Sequence, residues 1–288
     1  MGISGGVVIR TLVDGGLILS DGPRWHDGKL WFSDLFGRTV YTVDLDGTLD
    51  EVLALETQPS GLAFLADGSW LVVSQKDQRL LRIGPDGAIA EYADLSGIAV
   101  FDANDIVLDS KQRAYVTCFG FDMGAGADVA PAPLMRVDVD GTVSVAADGL
   151  FFPNAVVLTD DERTLMVSES AGNRIQAFDI EPDGSLTNRR VWADLGERTP
   201  DGMCLDAEGA LWIACIQACE FVRVAEGGEV LDRVETPTRW ATACMLGGPE
   251  RRHLFMLTSE TTPDELSRGI SHGRVEVVEV PVPGAGRP

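Results

Sequence analysis

The chain repeats one short pattern six times: a small or polar residue, an apolar strand, a tight turn and a second apolar strand. Successive copies start 39, 44, 50, 47 and 41 residues apart. The copies open at Asp21, Ser60, Asn104, Asn154, Asp201 and Thr242. A further strand–turn–strand segment follows each copy, so one unit holds four strands. Four-stranded units at a period of roughly 40 to 50 residues indicate a β-propeller, in which each unit forms one blade.

The pattern therefore predicts an all-β chain that forms a six-bladed β-propeller, with four antiparallel strands in each blade. Turn chemistry supports this prediction, because Asp-Gly or Gly-Gly pairs suited to hairpins recur between the strands. They are Asp46-Gly47, Asp86-Gly87, Asp140-Gly141, Asp183-Gly184 and Gly227-Gly228. Since a ring leaves no free edge, we expect VVIRTLV (7–13) to be the outer strand of the last blade, beside GRVEVVEVPV (273–282). The whole chain, 1–288, is expected to be one domain.

The six opening residues are expected to converge at one mouth of the central channel, because the innermost strand of every blade lines it. Four of the six are Asp or Asn. These residue types are also common where loops meet strands, which explains one or two such positions more easily than four. Oxygen ligands without His or Cys suit a hard cation such as Ca²⁺, Mg²⁺ or Mn²⁺. The sequence thus predicts a divalent-metal site at the mouth.

The composition of the chain limits the kinds of partner that we expect it to bind. The chain has 45 acidic and 23 basic residues and a net charge of −22, which repels nucleic acid and anionic membranes. It has no apolar run near the ~20 residues of a membrane span, and its start, MGISGGVVIR, does not resemble a signal peptide. Five cysteines, an odd number, favour a reduced, cytoplasmic protein. We expect a small-molecule ligand and a monomer or small homo-oligomer, with no nucleic-acid or membrane partner.

Four phrases resemble one known family: DGPRWHDGKLWFSD, FPNAVVLTDDERTLMVSES, TPDGMCLDAEGALWIAC and CMLGGPERRHLFMLTS. The chain is similar, from about residue 14 to residue 282, to the family of senescence marker protein-30, gluconolactonase and luciferin-regenerating enzyme. That resemblance implies a six-bladed propeller with one divalent metal at the channel mouth and lactone hydrolysis as the reaction. The implied metal ligands are Asp21, Asn154 and Asp201. Asn104 is implied to contact substrate or water.

Two positions depart from the family pattern. Asp21 stands where the family usually has Glu, and Asp102 stands where sugar-lactone enzymes often have Arg. The segment 119–133 and the phrase LFFPN add apolar side chains, and we expect the segment to be a lid over the mouth. These features predict a substrate less polar than a sugar lactone. The predicted substrate-binding residues are Asn104, Asp102, Phe121, Met123, Phe152 and Trp240.

For the reaction, the residues leave two roles open for Asp201: a general base that activates water, which we favour, or a nucleophile. Ca²⁺ is the first choice of metal, with Mg²⁺, Mn²⁺, Zn²⁺ or Fe²⁺ as alternatives. Two other functions remain open. The same site would also serve a non-hydrolytic reaction such as lactonisation or isomerisation, and a cation-binding propeller can be a scaffold without catalysis.

Overall fold

The computed structural model describes residues 8–286. The first half contains the strands β1 (Arg10–Leu17), β2 (Ser20–His26), β3 (Lys29–Asp34), β4 (Thr39–Val43), β5 (Leu49–Ala54), β6 (Pro59–Phe64), β7 (Trp70–Ser74), β8 (Arg79–Ile83), β9 (Ile89–Asp94), β10 (Ala103–Leu108), β11 (Ala114–Cys118), β12 (Pro131–Val137) and β13 (Val143–Phe151). The second half contains β14 (Pro153–Leu158), β15 (Thr164–Glu169), β16 (Arg174–Ile180), β17 (Leu186–Asp194), β18 (Pro200–Leu205), β19 (Leu211–Cys215), β20 (Glu220–Val224), β21 (Val230–Glu235), β22 (Trp240–Gly247), β23 (His253–Glu260) and β24 (His272–Glu279). A 3₁₀ turn (Ser170–Gly172) and the short helix α1 (Pro263–Ser267) complete the described elements.

The strands form six separate four-stranded antiparallel sheets, which confirms the predicted six-bladed β-propeller. Blades one to five are β2–β5, β6–β9, β10–β13, β14–β17 and β18–β21, each in chain order from the channel outward. Blade six runs β22, β23, β24 and β1, so an N-terminal strand closes the ring as expected. The closing strand begins at Arg10 rather than at residue 7, which lies outside the described residues. No helix among residues 8–286 has the length and apolarity needed to cross a membrane.

Local turn chemistry defines the outer hairpins. In blade one the Asp44 carboxylate accepts the backbone N–H groups of Asp46 and Thr48, at 2.9 and 2.8 Å. Gly47 then adopts φ +89°, a conformation that glycine reaches without the steric cost of a side chain. The glycines at 87, 141, 184 and 228 also have positive φ, between +80° and +95°. The Asp-Gly and Gly-Gly pairs therefore mark the turns that the sequence predicted.

The innermost strand of every blade loses its regular pairing near its start. The register shifts lie between Asp21 and Arg24, Pro59 and Leu62, Ala103 and Ile106, Pro153 and Val156, Pro200 and Met203, and Ala241 and Ala243. Such an irregularity turns neighbouring residues away from the normal alternation of side chains. Gly61 shows how close the inner strands come, because a Cβ at this position would lie 2.7 Å from the Cα of Asp105.

The core lies between the blades. Large side chains such as Trp212, Tyr115 and Phe255 are fully buried between sheets. At the ends of the inner strands opposite the opening residues, the N–H of Ala285 donates to the carbonyl of Leu205, at 3.1 Å. Ala285 and Arg24 both line a cavity of about 20 Å³, room for a single water molecule. The C-terminal segment around Ala285 therefore packs at the end of the channel opposite the opening residues.

Candidate metal and substrate site at the channel mouth

A chain of side-chain hydrogen bonds joins the opening residues of three blades. The hydroxyl of Ser60 donates to Oδ1 of Asn104 at 2.9 Å, and Nδ2 of Asn104 donates to Oδ1 of Asn154 at 2.8 Å. Nδ2 of Asn154 in turn lies 3.3 Å from the hydroxyl of Ser170, which it reaches as a donor. Asn104 and Asn154 are both buried, so each amide is held in one orientation. The structure therefore brings these two predicted residues into direct contact.

Two predicted carboxylates complete this group. Burial, and after it the negative charge of Asp105, raises the pKa of Asp21 from its ordinary 3.8 to about 7. Burial also raises the pKa of Asp201 well above its ordinary value, with the charge of Asp21 as the next cause, while a hydrogen bond with Asn154 opposes the shift. Like charges in a shared, poorly solvated space produce such shifts. Asp21 and Asp201 therefore lie near enough for the charge of one to affect the other, although 180 residues separate them in the chain.

A third carboxylate, Asp105, was missed by the sequence analysis. One Oδ atom accepts the guanidinium of Arg24 at 2.6 Å, and the other accepts the N–H of Val156 at 3.1 Å. Arg24 also donates to the carbonyl of Ile106 at 2.6 Å. The dipeptide Asn104-Asp105 is the sequence feature that could have indicated it, because the register shift in β10 lets both side chains reach the channel. Regular strand alternation would have placed only one of the two there.

Hydroxyl groups on the second strands hold the backbone of two predicted ligands. Ser168 accepts the N–H of Ala155 at 2.8 Å and donates to the carbonyl of Asp201 at 3.0 Å. One blade earlier, Thr117 accepts the N–H of Asp105 at 2.9 Å and donates to the carbonyl of Asn154 at 2.7 Å. Each hydroxyl satisfies backbone groups that the register shift leaves unpaired. We name the Ser168 and Thr117 interactions the inter-blade clips; no sequence pattern pointed to them.

Asp102, a predicted substrate contact, lies in an ion pair across two blades. Its carboxylate is 2.5 Å from Nζ of Lys76, and its side chain is 9% exposed while that of Lys76 is 52% exposed. Burial raises the pKa of Asp102, and the hydrogen bond with Lys76 acts in the opposite direction. The next residue but one along the chain is Asn104. The Arg that the family resemblance led us to look for is thus replaced by a carboxylate with a lysine from the neighbouring blade.

The predicted apolar residues divide into two groups. The ring of Phe152 meets those of Phe119 and Phe121 edge to face, at centroid distances of 4.6 and 5.3 Å. Phe152 has φ +55°, which turns its side chain at the junction before β14. Met123 is 58% exposed in the segment 119–133, and Trp240 begins β22 and is partly exposed. Phe119, Phe121 and Phe152 therefore form one aromatic cluster, while Met123, two residues after Phe121, is exposed to solvent.

The charges at the mouth do not balance. Asp21, Asp105 and Asp201 bring three carboxylates, and the guanidinium of Arg24 is engaged by Asp105. No Lys, Arg or His of residues 8–286 forms an ion pair with Asp21 or Asp201. No set of three or more His, Cys, Asp or Glu side chains in that range is arranged as a metal site, and the predicted set contains only two carboxylates. Two carboxylates and an amide oxygen are donors that suit a hard divalent cation.

Comparison with known proteins shows the family to which the chain belongs. The model of the SMP-30/Gluconolactonase/LRE-like region matches residues 19–260. Regucalcin of Xenopus laevis is 34% identical over 285 residues, which cover 90% of this chain and 89% of that protein. Pentonolactonase XacC of Haloferax volcanii is 24% identical over 262 residues, 88% of this chain and 86% of that protein. The solved structure of a gluconolactonase of Xanthomonas campestris is 25% identical, has a TM-score of 0.78, and is matched over 96% of this chain and 91% of its own. The chain belongs to the SMP-30/gluconolactonase/LRE-like family.

Proposed function

We propose that this protein is a divalent-cation-dependent hydrolase that opens a lactone. The observation that carries the proposal is the buried pair Asp21 and Asp201, both with raised pKa, next to the Asn154 amide. A pair of carboxylates to which no lysine or arginine of residues 8–286 is ion-paired is suited to binding a cation. The similarity to a pentonolactonase and a gluconolactonase supports lactones as the substrate class.

Asp21, Asn154 and Asp201 would hold the cation, each through a side-chain oxygen. The cation would polarise the lactone carbonyl and stabilise the negative charge that develops on its oxygen. Ca²⁺ is our first choice because these donors are all oxygens, and Mg²⁺, Mn²⁺, Zn²⁺ and Fe²⁺ are alternatives. Asp21 is one methylene shorter than the Glu of the family pattern, so an Asp21→Glu variant tests whether this chain has adapted to the shorter side chain.

Asp201 is the proposed general base. A carboxylate that can reach the cation can also reach a water molecule beside it and accept its proton. The water oxygen bonds to the carbonyl carbon while Asp201 takes the proton. The bond between that carbon and the ring oxygen then breaks, and the proton passes to the ring oxygen to give the hydroxy acid. Asn104 has no proton to exchange at neutral pH and is assigned to orienting the substrate or the water.

The surroundings of Asn104 bear on the substrate. The aromatic cluster of Phe119, Phe121 and Phe152 adds apolar surface near this position, because the N–H of Phe119 donates to the carbonyl of Asp102, two residues before Asn104. This surface supports a substrate less polar than a sugar lactone. We propose that the segment 119–133 covers bound substrate, because it joins this cluster to exposed residues such as Met123.

Acid release in a pH-stat tests the function. The panel includes glucono-δ-lactone, aliphatic lactones and aromatic lactones, first with EDTA and then with added Ca²⁺, Mn²⁺ or Zn²⁺. We expect hydrolysis to stop with EDTA and to return with one of the metals. If protein shown to bind a cation releases no acid from any lactone, hydrolysis is the wrong reaction. Lactonisation, isomerisation or a binding function would then take its place.

A further inference from the structure

Lys76 and Asp102 form an ion pair that bridges blades two and three on the mouth side of the ring. Nζ of Lys76 lies 2.5 Å from the Asp102 carboxylate and 5.5 Å from the centroid of the Phe101 ring. The lysine is 52% exposed and the aspartate 9% exposed. One end of the pair is thus anchored in the protein, and the other is open to solvent.

The backbone around the pair is held on both sides. The carbonyl of Asp102 accepts the N–H of Phe119 at 2.8 Å, and the carbonyl of Gln75 accepts the N–H of Ala103 at 3.1 Å. The side-chain amide of Gln78 donates to the carbonyl of Phe101 at 2.7 Å. These bonds fix the backbone on both sides of Asp102, so its carboxylate is held in a defined position before a ligand arrives.

The pair also lies beside the proposed substrate contact. Asp102 precedes Asn104 by two residues, immediately before β10 begins at Ala103. Gln75, the neighbour of Lys76, places Nε2 within 3.4 Å of Oδ1 of Asn104. The ion pair is thus linked to Asn104 twice: Gln75 precedes Lys76 in the chain, and Asp102 lies two residues before Asn104.

We propose that Lys76 and Asp102 together determine substrate specificity: they select a neutral lactone that carries a hydroxyl group over one that carries an anionic group. This inference rests on the proposed function and extends it. A hydroxyl donates and accepts at once, so it can accept from the ammonium of Lys76 and donate to the carboxylate of Asp102. An anionic substituent gains only the lysine and meets the carboxylate, with Asp122 as a second negative charge near Asp102.

The aromatic cluster adjoins the ion pair, because the N–H of Phe119 donates to the carbonyl of Asp102. The cluster accounts for an apolar part of the substrate, and the ion pair accounts for a hydroxyl group next to it. Fold similarity suggests neither feature by itself, because Lys76 comes from a different blade than Asp102 and has no counterpart in the motifs of the sequence analysis. Lys76 is therefore a specificity residue that the chain acquires through the packing of its blades.

The test compares γ-butyrolactone with its hydroxyl and carboxylate derivatives, using cation-loaded protein. In Asp102→Asn we expect kcat/KM for the hydroxylactone to fall about tenfold relative to the unsubstituted ring, and that for the anionic lactone to rise about tenfold. In Lys76→Met we expect both substituted lactones to lose activity relative to the unsubstituted ring. These opposite responses of the anionic lactone would not arise from a general loss of structure.

The control and the double variant complete the experiment. Lys29→Met removes another lysine from a Lys–Asp pair, with Asp50 at 2.7 Å, on the outer part of blade one, and should leave all three ratios unchanged. In the double variant Lys76→Met/Asp102→Asn, kcat/KM for the hydroxylactone relative to the unsubstituted ring should fall no further than in the more strongly affected single variant. Unchanged ratios in either single variant would overturn the proposal.

A second readout separates this proposal from the proposed function. If the wild type opens none of the lactones, lactone hydrolysis fails, and binding of the three corresponding lactams is measured by saturation-transfer NMR. Preference of the wild type for the hydroxylated lactam, lost in both single variants, would still support the ion pair as the selector. Equal binding of all three lactams, or no binding, would reject it.

Discussion

Nδ2 of Asn104 donates a hydrogen bond to Oδ1 of Asn154 at 2.8 Å, which links the inner strands of blades three and four amide to amide. The bond uses one of the two lone pairs on Oδ1 of Asn154 and leaves the other for a cation. It also points Oδ1 of Asn104 at Ser60. The Asn154 amide is thus oriented with its oxygen available to a cation, and the Asn104 amide holds it in that orientation.

Asp201→Asn should lower turnover by roughly 10²–10⁴-fold, the usual contribution of a general base. The variant should remain folded, because an amide of equal size removes the repulsion between Asp201 and Asp21. Acid release measures the activity, and circular dichroism with thermal melting measures the fold. Asp50→Asn, on the surface beside Lys29, is the matched control and should retain full activity. Full activity in folded, cation-loaded Asp201→Asn would contradict the base assignment.

One divalent cation per chain should bind at the mouth, and Asp21→Asn should weaken that binding by at least about tenfold, since it removes a carboxylate ligand. Isothermal titration with Ca²⁺ on EDTA-treated protein gives the stoichiometry and the affinity. Asp14→Asn is a suitable comparison, because Asp14 is an exposed carboxylate already paired with Arg274. If the two variants bind Ca²⁺ with the same affinity as the wild type, Asp21 is not a ligand.

The stability of the cation-free protein should fall as pH rises from about 4 to about 7. The pKa of Asp21 rises on folding from 3.8 to about 7, so between these values the folded chain holds a proton that the unfolded chain has released. Stability is then greatest below the lower value and is lost as pH passes through the upper one. Thermal melting in EDTA between pH 5 and pH 8 checks the trend.

A cation replaces those protons, so the rise in melting temperature on adding Ca²⁺ should grow over the same pH range. Surface carboxylates such as Asp44 and Asp67 have lowered pKa values, so they change the stability only at pH values below this range. In Asp21→Asn the decline in cation-free stability should be shallower. A cation-free melting temperature that is flat or increases from pH 5 to pH 8 would show that Asp21 is not protonated in the folded state.

Ser168→Ala should weaken cation binding, because it removes the inter-blade clip on the carbonyl of Asp201. A lost hydrogen bond of about 1 kcal/mol corresponds to roughly a fivefold change if the whole effect reaches the ligand. Ser33 is a matched control, since its hydroxyl makes the same contact, at 2.6 Å, with the carbonyl of Ser60, which is not a proposed ligand. Both variants should lose similar stability, but only Ser168→Ala should lose Ca²⁺ affinity in titration. Equal affinities would assign the clip to stability alone.

Much of the fold could be predicted from the sequence because its determinants are local. The period of the repeat, the alternation of apolar residues and the Asp-Gly turns all act within a few residues. They were sufficient for the strand count and for ring closure by β1, which begins at Arg10 among the described residues. The four opening residues that are Asp or Asn (Asp21, Asn104, Asn154 and Asp201) could also be identified, since each blade begins its pattern at the same point.

The tertiary structure alone decided how those residues are supported and which charges accompany them. Arg24 meets Asp105 across 81 residues, and Lys76 meets Asp102 across 26. The clip from Ser168 reaches Asp201 in the next blade. A linear pattern identifies the strand on which a side chain lies, but contacts between blades depend on the register shift in each inner strand and on the closure of the ring. The sequence by itself therefore determined the propeller and its polar openings, and the packing of six inner strands around one channel determined the site, because only that packing brings distant carboxylates, amides and hydroxyls within bonding distance.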